Sequence, residues 1–394
     1  MRRFALWLLI PATAVLAGDF EGRWDATIVS GGARVPFRMG ITESPARVCF
    51  FEDTQPACST SAELKDGALT ARWDYMNTEL QLTAKDGALT GSYVSLRSQR
   101  SRPSAIEAKH YQAPPAPTQP PAKFDGEWEV HTKAATAGNQ LLLQQSGADL
   151  KGTILRVDGD VGTLVGRVDG NHFLISHFSG DRAVSLDGTL LADGTIDLTQ
   201  GNSKMTAYRP AVARARNLLP PEDPSMYARG KDPAAKFHFN FPDLRGKTVT
   251  DDDFAGKPYI VTVTGSWCPN CRDEAPFLAE LYKSYHPQGL DIVGFCFEYS
   301  DDPTYAPLKA FVRKYGIAYP MLLAGDPSKV KLPEVVPQVE HIGAYPTSIY
   351  IGRDGRIKAV HTGFPSIGSG EELTRVKKEV RDIVEQMLAD KPAK

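Results

Sequence analysis

Tyr259-Ile260-Val261-Thr262-Val263-Thr264-Gly265-Ser266-Trp267-Cys268-Pro269-Asn270-Cys271 is the stretch whose reading decides the fold of this chain. Its first six residues are apolar or β-branched, which suits a buried central strand. From about Cys268 the pattern changes. Apolar residues at Phe277, Leu278, Leu281, Tyr282 and Tyr285 recur at helical spacing, so a helix begins at the cysteines. Two thiols three residues apart on a first helical turn can close a disulfide with little backbone movement. Cys268 lies where unpaired backbone N–H groups and the helix dipole favour a thiolate over a thiol. The thiolate is the attacking species in disulfide exchange, so this placement points to redox chemistry.

Other uses of a C-x-x-C fit less well. Half of a zinc site needs a second pair or a nearby Cys/His partner, and none follows. Haem attachment needs a histidine where Arg272 stands. An inert structural disulfide does not call for a strand–W-C-x-x-C–helix context.

Working outward, Leu290 to Phe297 reads as the next buried strand. Pro303 to Tyr315 reads as a helix stopping at Gly316. Ser348–Ile351 and Ile357–Val360 flank Arg353-Asp354-Gly355 as a hairpin. A closing helix over about 370–389 places Leu373, Val376, Val380, Ile383, Val384 and Met387 on one face. The order is β-α-β-α-β-β-α, a thioredoxin core.

The segment 236–392 resembles the TlpA/ResA-type thiol–disulfide reductases of the bacterial cell envelope. The matching stretches are Phe241-Pro242-Asp243-Leu244 with Gly246-Lys247, Gly265-Ser266-Trp267-Cys268-Pro269-Asn270-Cys271, Glu274-Ala275-Pro276 and Tyr345-Pro346-Thr347. The resemblance implies a nucleophilic Cys268, a resolving Cys271, a cis-proline at Pro346 facing the sulfurs and an acidic residue at Glu274. Trp267, Pro269, Asn270, Tyr345 and Thr347 enter as supporting residues of these motifs. Glu274 lies three residues past Cys271 on the same helix face. A carboxylate there can take the Cys271 proton as that thiol attacks the mixed disulfide. Many thioredoxins carry a buried aspartate six residues before the first cysteine. Thr262 stands there in this chain, which leaves the proton-transfer role open for Glu274. The segment departs from the family between about Gly325 and Gly343, beside the expected docking face, so partner identity does not carry over. Cys296 reads as a buried, unreactive thiol. His361 raises the Sco-type copper site, but those proteins place three residues between their cysteines. No metal or cofactor is called for.

The remaining three-fifths of the chain is organised differently. With 394 residues, 42% hydrophobic and 23% charged, it is a globular protein of two or three domains. A net charge of −2 from 45 basic and 47 acidic residues offers no basic footprint for nucleic acid. Met1-Arg2-Arg3, the apolar run Phe4 to Ala17 and the small residues closing it read as a signal peptide over 1–17. An uncleaved anchor is the alternative. Export places the five cysteines in an oxidising compartment, where Cys49 and Cys58 form a structural disulfide.

Proline-rich stretches divide the mature chain. A β-rich module spans 19–108, a linker 109–123, a second β-rich module 124–208, a further linker 209–235 and the α/β domain 236–392. The β modules look related: Phe20-Glu21-Gly22-Arg23-Trp24 opens one and Phe124-Asp125-Gly126-Glu127-Trp128 the other, a start similar to the first strand of lipocalin-like barrels. Asp-Gly dipeptides at 66–67, 86–87, 158–159, 169–170, 187–188 and 193–194 punctuate alternating runs, the mark of antiparallel hairpins. Each module is therefore expected to be a barrel or sandwich. His172 and His177 face opposite sides of one strand and cannot clamp a metal together. Trp24 and Trp128 read as core anchors.

These observations lead to an exported thiol–disulfide oxidoreductase, reducing protein disulfides with electrons from a membrane thiol carrier. An oxidase or isomerase uses the same chemistry in other directions. A peroxidase wants a threonine where Gly265 stands. A binding protein, its β modules holding an unidentified ligand and its redox domain a tether, is the reading from another class.

Overall fold

The computed structural model describes residues 19–52, 55–97, 101–132, 137–299 and 302–390. The expected signal peptide, 1–17, lies outside the described residues. Two β modules are followed by an α/β domain, and all three are packed together.

The first module is one antiparallel sheet of nine strands, from Gly22–Ser30 to Ser104–His110. Its first and last strands pair, Trp24 opposite His110. The sheet's two edges are the consecutive strands Gln55–Cys58 and Ser61–Lys65, so it curls without closing there. Cys49 and Cys58 sit opposite each other on paired strands and form the disulfide. The second module is a barrel. Eight of its strands close because Asn139–Ser146 pairs with both Gly126–His131 and Asp149–Arg156. A ninth, Gly159–Asp160, folds back on the end of Asp149–Arg156.

The repeated opening motif has one physical role in both modules. Trp24 Nε1 donates to the Phe20 carbonyl at 2.9 Å, and Trp128 Nε1 to the Phe124 carbonyl at 2.7 Å. Between each pair the glycine, Gly22 or Gly126, has positive φ, which folds the chain back so that indole and carbonyl meet. Both tryptophans are buried core anchors.

In the α/β domain five strands run in the order Met321–Gly325, Asp291–Phe297, Tyr259–Thr264, Thr347–Ile351, Ile357–Thr362. The first three are mutually parallel and the last two antiparallel. Every residue of Tyr259–Thr264 is buried, as a strand covered on both faces requires. Alternation along it divides the core. Ile260 joins the layer of the helices Pro269–Tyr285 and Glu371–Ala389, while Val261 and Val263 face the other layer with Phe237, Phe239 and Phe295.

Four expectations change. Asp187-Gly188, expected at a hairpin turn, lies inside the strand Ala183–Leu190, where the glycine leaves room for the Phe173 ring: a Cβ there would lie 2.3 Å from its Cζ. The strand Met321–Gly325 is absent from the order read off the sequence: a five-residue run without a β-branched residue has no period to declare it. The helix expected from Pro303 starts at Ala306, because the Asp302 carboxylate accepts from the N–H groups of Thr304 and Ala306 and Tyr305 takes positive φ. The stretch 209–235 is more than a spacer. It carries the helices Pro210–Ala215 and Pro224–Tyr227 and the strand Arg229–Gly230, which pairs with Val339–Glu340.

A loop of the barrel locks the three parts together. Phe178 enters the first module's core, with ring centroids 4.8 Å from Phe37, 5.0 Å from Phe50 and 5.1 Å from Tyr93. Tyr93 Oη donates to the Gly180 carbonyl. The next residue, Asp181, forms a buried ion pair with Arg272 of the α/β domain.

Candidate active site

The helix Pro269–Tyr285 starts at the top of the central strand, and its start is built from side chains. Cys268 is its N-cap: the Cys271 N–H donates to Cys268 Sγ at 3.2 Å. Pro269, at the first helical position, lacks an N–H that would be unpaired there in any case. Cys268 Sγ is also 3.3 Å from the Tyr345 carbonyl, to which its thiol donates. The Tyr345–Pro346 peptide is cis. Thr347 Oγ1 closes that turn on the Ala344 carbonyl at 2.8 Å. One sulfur thus lies between a helix start and the peptide carbonyl before the cis-proline.

Cys271 lies deeper, and burial, followed by the neighbouring Cys268 thiol, pushes its thiol well up. Its hydrogen bond with the Thr264 side chain opposes that rise. A buried thiol with a raised pKa needs a base before it can attack. Glu274, one turn along, is placed to serve. It is buried, and Thr262 Oγ1 and Ser348 Oγ donate to its two oxygens, each at 2.8 Å. Thr262 and Ser348 are direct neighbours across paired strands, so sheet register places both hydroxyls beneath the helix. Burial pushes Glu274 up to about 7, with the two hydroxyls holding against it. Its proton affinity therefore falls in the range where a base exchanges protons near neutral pH.

The loop ahead of the cysteines is pinned by Glu298, which the sequence did not mark. Its carboxylate accepts from the Ser266 N–H at 2.6 Å and Ser266 Oγ at 2.7 Å. Burial pushes it up to about 7 as well. The only signal was its place as the first polar residue after a buried strand. Trp267 Nε1 donates to the Phe297 carbonyl at 2.7 Å, and its ring meets Tyr345 edge-on at 5.0 Å. Gly265 makes room for this: a Cβ there would lie 2.5 Å from Trp267 Nε1 and 2.9 Å from the Phe297 carbonyl oxygen. Thr264 and Ser348 likewise read only as strand residues until packing brought them under the helix, and Thr262, marked for the aspartate it replaces, is found donating to Glu274.

Asn270 Nδ2 donates to the Asp160 carbonyl of the barrel. Cys296 is fully buried, and burial pushes its thiol up. His361 is buried with Nδ1 3.2 Å from the Gly363 carbonyl. Among the described residues no group of three His, Cys, Asp or Glu side chains is arranged to hold a metal ion. A cavity of about 1010 Å³ lies between the β modules and is lined by no residue of the α/β domain.

Residues 231–360 match the AhpC/TSA family. The C-terminal domain is thioredoxin-like. Curated relatives matching this thioredoxin-like domain are named thiol-disulfide oxidoreductase ResA. The protein of Bacillus thuringiensis subsp. konkukian is 31% identical over 120 residues, 30% of this chain and 63% of the relative. That of Bacillus subtilis is 29% identical over 126 residues, 32% of this chain and 64% of the relative. The chain thus spans less than two-thirds of these relatives' length. A solved thiol:disulfide interchange protein of Chlorobium tepidum is 25% identical, covered in full by 41% of this chain, with a TM-score of 0.32. No helix among the described residues is long and apolar enough to cross a membrane.

Proposed function

We propose that this chain is a cell-envelope thiol–disulfide oxidoreductase that reduces protein disulfides through Cys268 and Cys271. One observation carries the reading: Cys268 Sγ receives the Cys271 N–H at a helix start, with Cys271 and Glu274 buried behind it. Cys268 attacks one sulfur of the substrate disulfide, the S–S bond breaks, and the departing sulfur leaves as a thiolate. Cys271 gives its proton to the Glu274 carboxylate and attacks Cys268 Sγ. The second substrate thiolate leaves, and the Cys268–Cys271 disulfide remains. Two electrons have moved to the substrate, and a membrane thiol donor restores the pair. Pro346 keeps the Tyr345 backbone facing the sulfur, and Trp267, Pro269 and Thr347 hold that frame. The proposed division runs from an exported leader at 1–17, through modules at 19–108 and 124–208, to the redox domain.

Trapping tests the chemistry. A Cys271→Ser chain in the cell envelope should accumulate mixed disulfides on Cys268, released by reductant and named by mass spectrometry. The direction of electron flow is read from the equilibrium potential against glutathione. A reductase lies near the thioredoxin value of about −270 mV, and a result near the DsbA value of about −120 mV overturns reduction in favour of oxidation.

A further inference from the structure

The barrel stands against the mouth of the dithiol site. Its strand Asp149–Arg156 turns back through Asp158 into Gly159–Asp160, and this hairpin faces the start of the active-site helix. Asn270 Nδ2 donates to the Asp160 carbonyl at 3.2 Å and lies 3.5 Å from that of Asp158. The Asp160 carboxylate accepts from the Ser366 N–H at 2.7 Å and Ser366 Oγ at 2.6 Å. The backbones meet so closely that a Cβ on Gly363 would lie 2.2 Å from the Gly159 nitrogen. Behind them Arg272, next to Cys271, is paired with Asp181. Buried polar partners on both sides make this a built interface.

What it leaves over Cys268 is narrow. A cavity of about 370 Å³ is walled by Arg156 and Arg182 of the barrel and by Trp267 and Tyr345 of the redox domain. Cys268 itself is only 3% exposed. Cavities that take small ligands run from about 300 to 1,000 Å³, and this one is near the lower bound. A folded partner needs about 800 Å² of its surface in contact to dock stably, far more than these walls offer.

We propose that the hairpin Arg156–Asp160 is the second wall of the substrate cleft, admitting a disulfide carried on an extended, unfolded peptide segment and excluding folded domains. The inference rests on the oxidoreductase function above and narrows its substrate. An extended segment runs past the Tyr345 carbonyl and brings its sulfur to Cys268. A folded surface meets the barrel first.

The test uses the pre-reduced full-length chain in single turnover, so that its own two electrons are the only ones transferred. One probe is two pentapeptides joined by a single disulfide. The other is a folded single-domain protein with an engineered surface disulfide of matched potential. The expected result is peptide reduction about 100-fold faster, the ratio a cleft open to the folded probe about 1% of the time produces. Gly368→Val supplies the complement: a Cβ at Gly368 would lie 2.9 Å from Thr163 Cα, so the larger side chain wedges the barrel away. That variant should reduce the folded probe at least about tenfold faster than wild type, with the peptide rate within about threefold. Equal wild-type rates on both probes overturn the wall and leave the redox chemistry standing. Reduction of neither probe overturns both. The wild-type comparison stands even where the wedge variant does not fold.

Discussion

In the proposed mechanism Glu274 is the residue on which the two half-reactions divide. Glu274→Gln keeps the shape and removes the base, so release of the mixed disulfide should slow about 100-fold or more while the first attack by Cys268 is unchanged. Stopped-flow fluorescence of pre-reduced protein separates the two phases. In the native chain the release rate should rise as pH passes through about 7, where Glu274 becomes a carboxylate, and the Gln variant should lose that rise. The same titration bears on stability. Below the ordinary glutamate value of 4.5 the carboxyl is neutral whether the chain is folded or not. Between 4.5 and about 7 the unfolded chain ionises first and is favoured, so stability falls across this window and levels off above it. The drop is about 3 kcal/mol for a shift of this size, and Glu274→Gln should flatten that share of a denaturant-midpoint curve against pH.

The turn between the central strand and the active-site helix is held from outside itself. Gly265→Ala keeps an ordinary backbone conformation and changes only space, bringing a methyl into the Trp267 indole and the Phe297 carbonyl. The expected loss is about 1–3 kcal/mol in urea unfolding, with Trp267 fluorescence shifted as its hydrogen bond to Phe297 breaks. Partial recovery of stability with Trp267→Phe added identifies the indole's share of the clash. Removing the Cys49–Cys58 disulfide acts on a different element. Changing both residues to serine should cost the first module about 2 kcal/mol, because the bond closes a short loop. Reactivity of Cys268 towards alkylation should not move.

At the scale of the whole molecule, Asp181 joins three parts. It follows the loop whose Phe178 fills the first module and whose Gly180 carbonyl receives Tyr93, and it neutralises the buried Arg272. Burial by itself raises the Asp181 carboxyl, yet Arg272 and Arg97 carry the net shift below the usual range. Asp181→Ala leaves Arg272 buried without its partner and should cost about 3–5 kcal/mol. Small-angle scattering should then show a larger radius of gyration as the barrel leaves the redox domain. A compact variant of unchanged stability would show that the pair does not hold the junction.

Read by itself, the sequence determined what local chemistry writes within a few residues. The dithiol, the strand before it, the helix after it, the repeated F-x-G-x-W openings and five of the six Asp-Gly turns are short-range patterns that the structure has, whereas Asp187-Gly188 lies inside the strand Ala183–Leu190, paired on both sides. Asp302 and Tyr305 show the limit at an element boundary, and Met321–Gly325 shows it for a short run without a period. Only the tertiary structure decided the rest. Glu298 meets Ser266 across 32 residues, Ser348 meets Glu274 across 74, and Asn270 meets the barrel across 110. Such contacts arise from strand register and module docking, which depend on the summed packing of the whole chain and leave no mark at either residue. The sequence therefore named the two sulfurs and the Glu274 carboxylate beside them, and the fold supplied the hydroxyls that hold that carboxylate and the barrel hairpin that faces the helix start.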